Sequence, residues 1–174
     1  MKKIEDYIRT IPDFPKEGIM FRDISTVLSD PDGFALAIDQ LQERLQGVDF
    51  DIITGMEARG FVFAAPLAYN LHKPLVLIRK KGKLPGETIE KTFDLEYGTA
   101  TIEVQADSIR PGQKVVVVDD LIATGGTVEA SAHLIEHMDG EVVKMLFVAE
   151  LAGLEGRKRL AKYDIDALVT YPGK

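Results

Sequence analysis

The chain has 174 residues, 45% hydrophobic and 28% charged, a length that suits one domain able to bury a substantial core. It carries no cysteine, so no disulfide can form, and a formal net charge of -7 argues against a general nucleic-acid surface, where basic patches supply the affinity. No apolar run reaches membrane-spanning length, and the Met1-Lys2-Lys3 start runs into the acids Glu5 and Asp6, so we read neither a membrane span nor a secretory or transit segment and expect a cytoplasmic protein.

Ile4, Tyr7, Ile8 and Ile11 predict a short amphipathic helix ending before Pro12. Pro12 to Ile24 is a connection stiffened by Pro12 and Pro15; taken alone, Phe21 on it is a core residue and Arg22-Asp23 a surface ion pair. Ser29-Asp30-Pro31 is a helix start with proline near N1, and Phe34, Ile38, Leu41 and Leu45 line one face to about Gly47. Val48 to Thr54 reads as a strand, followed by Gly55-Met56-Glu57-Ala58-Arg59-Gly60 and a helix through Phe61, Ala64, Leu67, Ala68 and Leu71 that includes Pro66. Such a strand tip meets an anion through Arg59 and free amides, or is a plain capped turn.

Leu75 to Ile78 forms a third strand that empties into RKKGKLPG, Arg79 to Gly86. Arg79, Lys80, Lys81 and Lys83 in one loop neutralise a polyanion or form a solvated charge run. Thr88 to Phe93 and Thr99 to Val104 alternate about Asp94-Leu95-Glu96-Tyr97-Gly98, a ribbon with a polar tip; isolated ribbons are marginally stable, so residues 82–106 are expected to form a flexible lid.

Arg110-Pro111-Gly112 turns the chain into VVVVDDLIATGGT, Val115 to Thr127, around which the rest is organised. Four consecutive valines suit a strand buried on both faces of a parallel sheet, and the run stops at Asp119 and Asp120, at the end where ligands sit in open α/β sheets. Ala123, Thr124, Gly125, Gly126 and Thr127 then lead into a helix whose apolar face is Val128, Ala132, Ile135 and Met138. Glycines and threonines beside unpaired helix amides suit a phosphate, although neither the Walker lysine nor the G-x-G-x-x-G spacing is present. His133 and His137 stand four apart with Glu129 on the same side and read as a solvated polar stripe. Val142 to Ala149, a short basic helix over Leu154 to Leu160, and a strand at Ile165 to Tyr171 complete the chain. Alternating strands and helices imply an α/β fold with a mainly parallel central sheet flanked by helices.

The succession of apolar strand, acid pair and glycine-threonine loop resembles the 5-phosphoribosyl 1-diphosphate (PRPP) motif of the type I phosphoribosyltransferases. The resemblance implies that Asp119 and Asp120 accept hydrogen bonds from the ribose hydroxyls while Ala123 to Thr127 take the 5-phosphate. PDFPKEGIMFRDIS is similar to the amino-terminal signature of the adenine-specific family, which implies a purine site at Met20, Phe21 and Arg22 in a hood of about residues 1–30, with Leu121 packing opposite Phe21. Glu57-Ala58-Arg59-Gly60 occupies the place of that family's pyrophosphate loop, assigning Ala58 and Arg59 to pyrophosphate; RKKGKLPG adds Lys80 and Lys83, with Arg79 inward or structural. LEYG resembles the flexible-loop motif, which makes Glu96 the proton-transfer residue and Tyr97 a closure residue.

Together these resemblances, from about Pro12 to Leu151, imply transfer of a phosphoribosyl group from PRPP to adenine, giving AMP and pyrophosphate. They imply magnesium held mainly by PRPP and water rather than by a protein cage, and a homodimer, with no nucleic-acid or membrane partner. Two rivals stand beside this reading: an enzyme for a 6-oxo purine, and a PRPP-sensing regulator that kept the fold without catalysis.

Overall fold

A computed structural model describes residues 1–95 and 97–173. The first elements form a small unit of their own: a 3-10 turn at Ile4–Tyr7, strands β1 (Arg9–Pro12) and β2 (Met20–Asp23) paired antiparallel, and a short helix α1 (Ser25–Leu28). The expected helix over Ile4 to Ile11 is therefore broken after one turn. Proline disfavours helical backbone in the residue before it, and the extended Ile11 pairs instead with Phe21.

Helix α2 (Pro31–Glu43) starts where the sequence placed it, with the Asp30 carboxylate accepting from the Asp32 and Gly33 amides. The remaining elements are β3 (Ile52–Met56), α3 (Arg59–Leu71), β4 (Leu75–Lys80), β5 (Thr88–Asp94), β6 (Thr99–Gln105), β7 (Lys114–Ile122), α4 (Gly126–His137), β8 (Glu141–Leu151), α5 (Gly156–Arg159) and β9 (Ile165–Tyr171). They build a seven-stranded sheet in the order β5-β6-β4-β3-β7-β8-β9, parallel from β4 to β9. The α/β expectation with a mainly parallel sheet holds, because β7 is buried on both faces as its valines predict. Val116 and Val118 pack on the side of α2 and α3, and Val115 and Val117 on the side of α4.

Several features differ from the sequence reading. Strand β3 starts four residues later than expected and includes Gly55 and Met56. Strand β7 does not stop at the acids but runs through them to Ile122. The ribbon is not isolated: β6 pairs antiparallel with β4, and its Ile102 and Val104 are buried in the α4-side core, so β5 and β6 extend the main sheet. No helix among the described residues is long and apolar enough to cross a membrane.

Along the chain β3 leads through α3 to β4 on one side, and β7 leads through α4 to β8 on the other. The strand order thus reverses between β3 and β7, which places a crevice outside their carboxyl ends. Phe147 on β8 is fully buried among the α4-side core, whereas His133 on α4 is exposed. Phe147→Ala is expected to lower unfolding free energy by about 3–5 kcal/mol in urea titration. His133→Ala is expected to change it by less than about 0.5 kcal/mol; equal losses would contradict this placement of the core.

Candidate active site

Strand β3 accompanies β7 only to Val118, while β8 stays paired with β7 as far as Ile122. Asp119 and Asp120 therefore sit where the sheet opens on one side. Asp120 is buried, accepts a hydrogen bond from the Arg59 guanidinium, and donates its amide to Asp119 Oδ1 at 2.8 Å. Burial and the neighbouring Asp120 charge push the Asp119 carboxyl well above the usual carboxylate range. Attraction to Asp120 raises Arg59 in turn, against the opposing effect of burial. The Arg59 side chain is still 60% exposed, so it pairs a buried acid and remains reachable from solvent.

Arg59 and Gly60 open α3, and this helix comes close enough to the acids to need a glycine. A Cβ on Gly60 would stand 2.8 Å from Asp119 Oδ1 and 3.0 Å from the Val118 carbonyl oxygen. The preceding peptide, Glu57–Ala58, is cis.

The Ala123–Thr127 loop caps α4 with Gly125 at φ +82, a left-handed conformation that glycine adopts without cost. Behind it lies α5, where a Cβ on Gly156 would fall 2.5 Å from the Ala123 carbonyl oxygen. That helix is tethered by Arg157, whose Nε donates to both Glu150 carboxylate oxygens at 2.8 and 2.9 Å. The first amides of α4 have no intrahelical acceptor, an arrangement that suits an anion.

On the other flank, Glu57 accepts from Arg79 Nε at 3.1 Å and from the Lys80 amide at 2.9 Å. Burial pushes the Glu57 carboxyl up, but these donors outweigh it and hold the group below its ordinary value. Arg79 is thus engaged in structure, as expected. A cleft of 340 Å³ is lined by Glu57, Ala58, Arg59, Lys80, Asp119, Asp120, Leu121 and Thr127.

The remaining sequence-predicted residues lie outside the lining of that cleft. Met20 is exposed, Phe21 stacks edge-on with Phe14 at 5.1 Å, and the Arg22 guanidinium lies 4.0 Å from the Tyr171 ring centroid and donates to Thr10. Ala123, Thr124, Gly125 and Gly126 lead up to Thr127, and Lys83 is held through its backbone by Glu103. Exposed Tyr97 meets the amino-terminal unit through Lys16, whose Nζ is 6.0 Å from the ring centroid. Glu96 lies outside the described residues.

Sequence reasoning missed Gly60, Gly156, Glu57 and Glu103 as parts of the site. Glu57 stood in the predicted loop, but nothing in its neighbours showed that it would turn to β4 instead of solvent. Glu103 alternates with Ile102 and Val104, a pattern that reads as an outward-facing acid.

Residues 25–170 match the phosphoribosyl transferase domain family. The chain is 67% identical to the adenine phosphoribosyltransferase of Agathobacter rectalis over 174 residues, the full length of both. The crystal structure of adenine phosphoribosyltransferase from Thermoanaerobacter pseudethanolicus superposes with a TM-score of 0.92 at 50% identity, covering 97% of this chain and 98% of the other. The Saccharomyces cerevisiae adenine phosphoribosyltransferase, solved in complex with an imino-altritol 1,6-bisphosphate and adenine, gives 0.88 at 38% identity, covering 95% and 96%.

A carboxyl raised in the folded state contributes stability that is complete below the unfolded pKa of about 3.9 and is lost as pH rises through its folded value. Asp119 therefore destabilises the ligand-free protein at neutral pH. Asp119→Asn is expected to melt at higher temperature than the parent at pH 7, with the difference shrinking as pH falls toward about 4. Melting curves across that range check it, and an unchanged or lower melting point at pH 7 would contradict the assignment.

Proposed function

The chain belongs to the adenine phosphoribosyltransferase family, and we propose from that premise that it transfers the 5-phosphoribosyl group of PRPP to N9 of adenine, releasing AMP and pyrophosphate in purine salvage. The observation that carries the reading is the convergence of the Asp119–Asp120 pair, Glu57, the cations Arg59 and Lys80 and a threonine in the first turn of α4 on one cleft at the carboxyl edge of the sheet.

In this reading Asp119 and Asp120 accept hydrogen bonds from the two ribose hydroxyls, and the amides and hydroxyls of Ala123 to Thr127 take the 5-phosphate. The bond from the anomeric carbon to pyrophosphate breaks and a bond to N9 forms. Ala58, Arg59, Lys80 and Lys83 receive the departing charge. Arg59 turns from Asp120 toward the pyrophosphate as the ribose hydroxyls replace it at the acid. Glu96 takes the proton from the purine, an assignment that rests on its place in LEYG. Residues 1–30 serve as a hood in which Met20, Phe21 and Arg22 hold the purine with Leu121, and the tip of the β5–β6 ribbon, rather than its strands, which are fixed in the main sheet, serves as a lid closed by Tyr97; both belong to a single domain of 174 residues. The Lys16–Tyr97 contact supports a hood and a lid tip that meet.

Phosphoribosyltransferases generally use magnesium with PRPP. Asp119 and Asp120 supply hard oxygen donors in the lining of the cleft, which fits an ion carried mainly on PRPP and water. When bound, magnesium neutralises the pyrophosphate oxygens. Val62 and Tyr69, seven apart on α3 and both exposed, offer an apolar stripe to a second copy and support a homodimer. We place the protein in the cytoplasm.

Purified protein is expected to form AMP from adenine and PRPP only with magnesium present, and to use adenine far better than hypoxanthine. A preference for hypoxanthine would overturn the adenine assignment, and absence of any nucleotide product would overturn the transferase reading. Glu96→Gln is expected to lower kcat by about 10²-fold or more while the KM for PRPP moves little; wild-type turnover would remove Glu96 from the chemistry.

A further inference from the structure

Glu103 stands apart from the cleft, yet it is a charged side chain only 3% exposed, on β6 directly opposite Arg79 of β4. Its Oε1 accepts from the Lys83 amide at 3.1 Å and the Leu84 amide at 2.9 Å, and its Oε2 accepts from Thr88 Oγ1 at 3.3 Å. The Leu84 amide outweighs the burial and, with the Thr88 hydroxyl and the Lys83 amide, keeps the carboxyl below its ordinary pKa, so it is held as the anion. From the other side Arg79 Nη1 donates to the Lys83 carbonyl at 3.5 Å, and Arg79 is itself anchored on Glu57. The Lys81 amide donates to the Thr101 carbonyl at 3.0 Å. The loop backbone is thus tied on both flanks, while the Lys80 and Lys83 ammonium groups make no salt bridge with another described residue.

We propose that Glu103 is a positioning residue for the pyrophosphate half of the substrate: its carboxylate fixes the Lys80–Leu84 backbone so that the two lysines meet the leaving group, and it touches no substrate atom itself. The proposal rests on the transferase reading and assigns to it a residue separated from the acid pair by two intervening strands, β4 and β3. Burying a carboxylate is costly unless its oxygens are satisfied, so the loop conformation and the anion hold each other in place. Thr88 opens β5, and the same carboxylate therefore also secures the root of the ribbon beside the basic loop.

The test compares binding at the two ends of the site in Glu103→Ala, Glu103→Gln and Glu103→Asp. Losing charge-assisted hydrogen bonds to two amides is expected to raise the KM for PRPP and the Kd for pyrophosphate about tenfold in Glu103→Ala. The KM for adenine and the Kd for AMP, which use the hood and the 5-phosphate loop, should stay within about twofold, since well-separated sites are nearly independent. Glutamine still presents an oxygen to both amides and should recover most of the PRPP affinity, whereas aspartate, one methylene shorter, should not. A general loss of structure would instead lower the melting temperature and the AMP-titrated fraction of active sites without separating PRPP from adenine. That result, an unchanged PRPP KM in Glu103→Ala, or Glu103→Asp outperforming Glu103→Gln overturns the proposal. If Glu103→Ala is insoluble, the order of the other two variants decides it. Parent protein that makes no AMP would instead refute the transferase reading, so the two failures are distinguishable.

Discussion

The site depends on the unequal lengths of two hydrogen-bond ladders. Strand β7 keeps β8 beside it to Ile122 but loses β3 after Val118, so its last residues are firm on one side and open on the other. Four valines buried alternately on the two faces of the sheet fix the register, since a slip of one residue would exchange every face. Two like charges are consequently delivered side by side to a place short of water. Asp120 is compensated by Arg59, and Asp119 is left with a strongly raised pKa. Ligand-free protein therefore holds an electrostatic cost that hydroxyl donors of a sugar would relieve.

The cost persists because the surroundings are close-packed around it. Helix α3 arrives over the acids with no room for a side chain at Gly60, and α5 presses on the Ala123–Thr127 loop at Gly156. Glu150, buried at the end of β8, holds α5 through Arg157, whose Nη1 also donates to the Ile165 carbonyl at 2.9 Å. Loop amides backed this way do not need to reorganise when an anion arrives, which is the condition under which such dipoles are most effective.

The sheet was legible in the sequence because its signals were local and unopposed. The valine run, the Asp30-Pro31 helix start and the apolar face of α4 each depend on neighbours along the chain. Strand β1 reads as helix because its Ile11 falls at helical spacing from Ile4, Tyr7 and Ile8, and only pairing with β2, about ten residues away, decides between the two. The ribbon was read as free for the same reason: its attachment to β4 is a long-range contact with no local signature. Within the site, the residues that line the cleft were visible through motif and charge, as with Arg59, Lys80, Asp119, Asp120 and Thr127. The residues that hold those groups in place were not. Glu57 and Glu103 each bond to backbone amides as well as to one side chain, Arg79 and Thr88 respectively, and every loop has amides, so local sequence does not announce the contact.

That difference in partners divides the charged groups of the site into two kinds. Glu57 and Glu103 are held by main-chain donors of the elements they brace in addition to one side chain each, and moving them would mean unmaking a loop. Asp120 is held by a long, largely exposed arginine side chain that gives up little of its hydration in the pair. The first kind fixes geometry and the second can be exchanged for a ligand. A polyphosphate arriving with a sugar would take Arg59 and leave its own hydroxyls with the acids, so each protein charge finds a new partner in one movement. Such an exchange keeps the uncompensated charge small throughout binding, a requirement imposed by the dry, like-charged end of β7 itself.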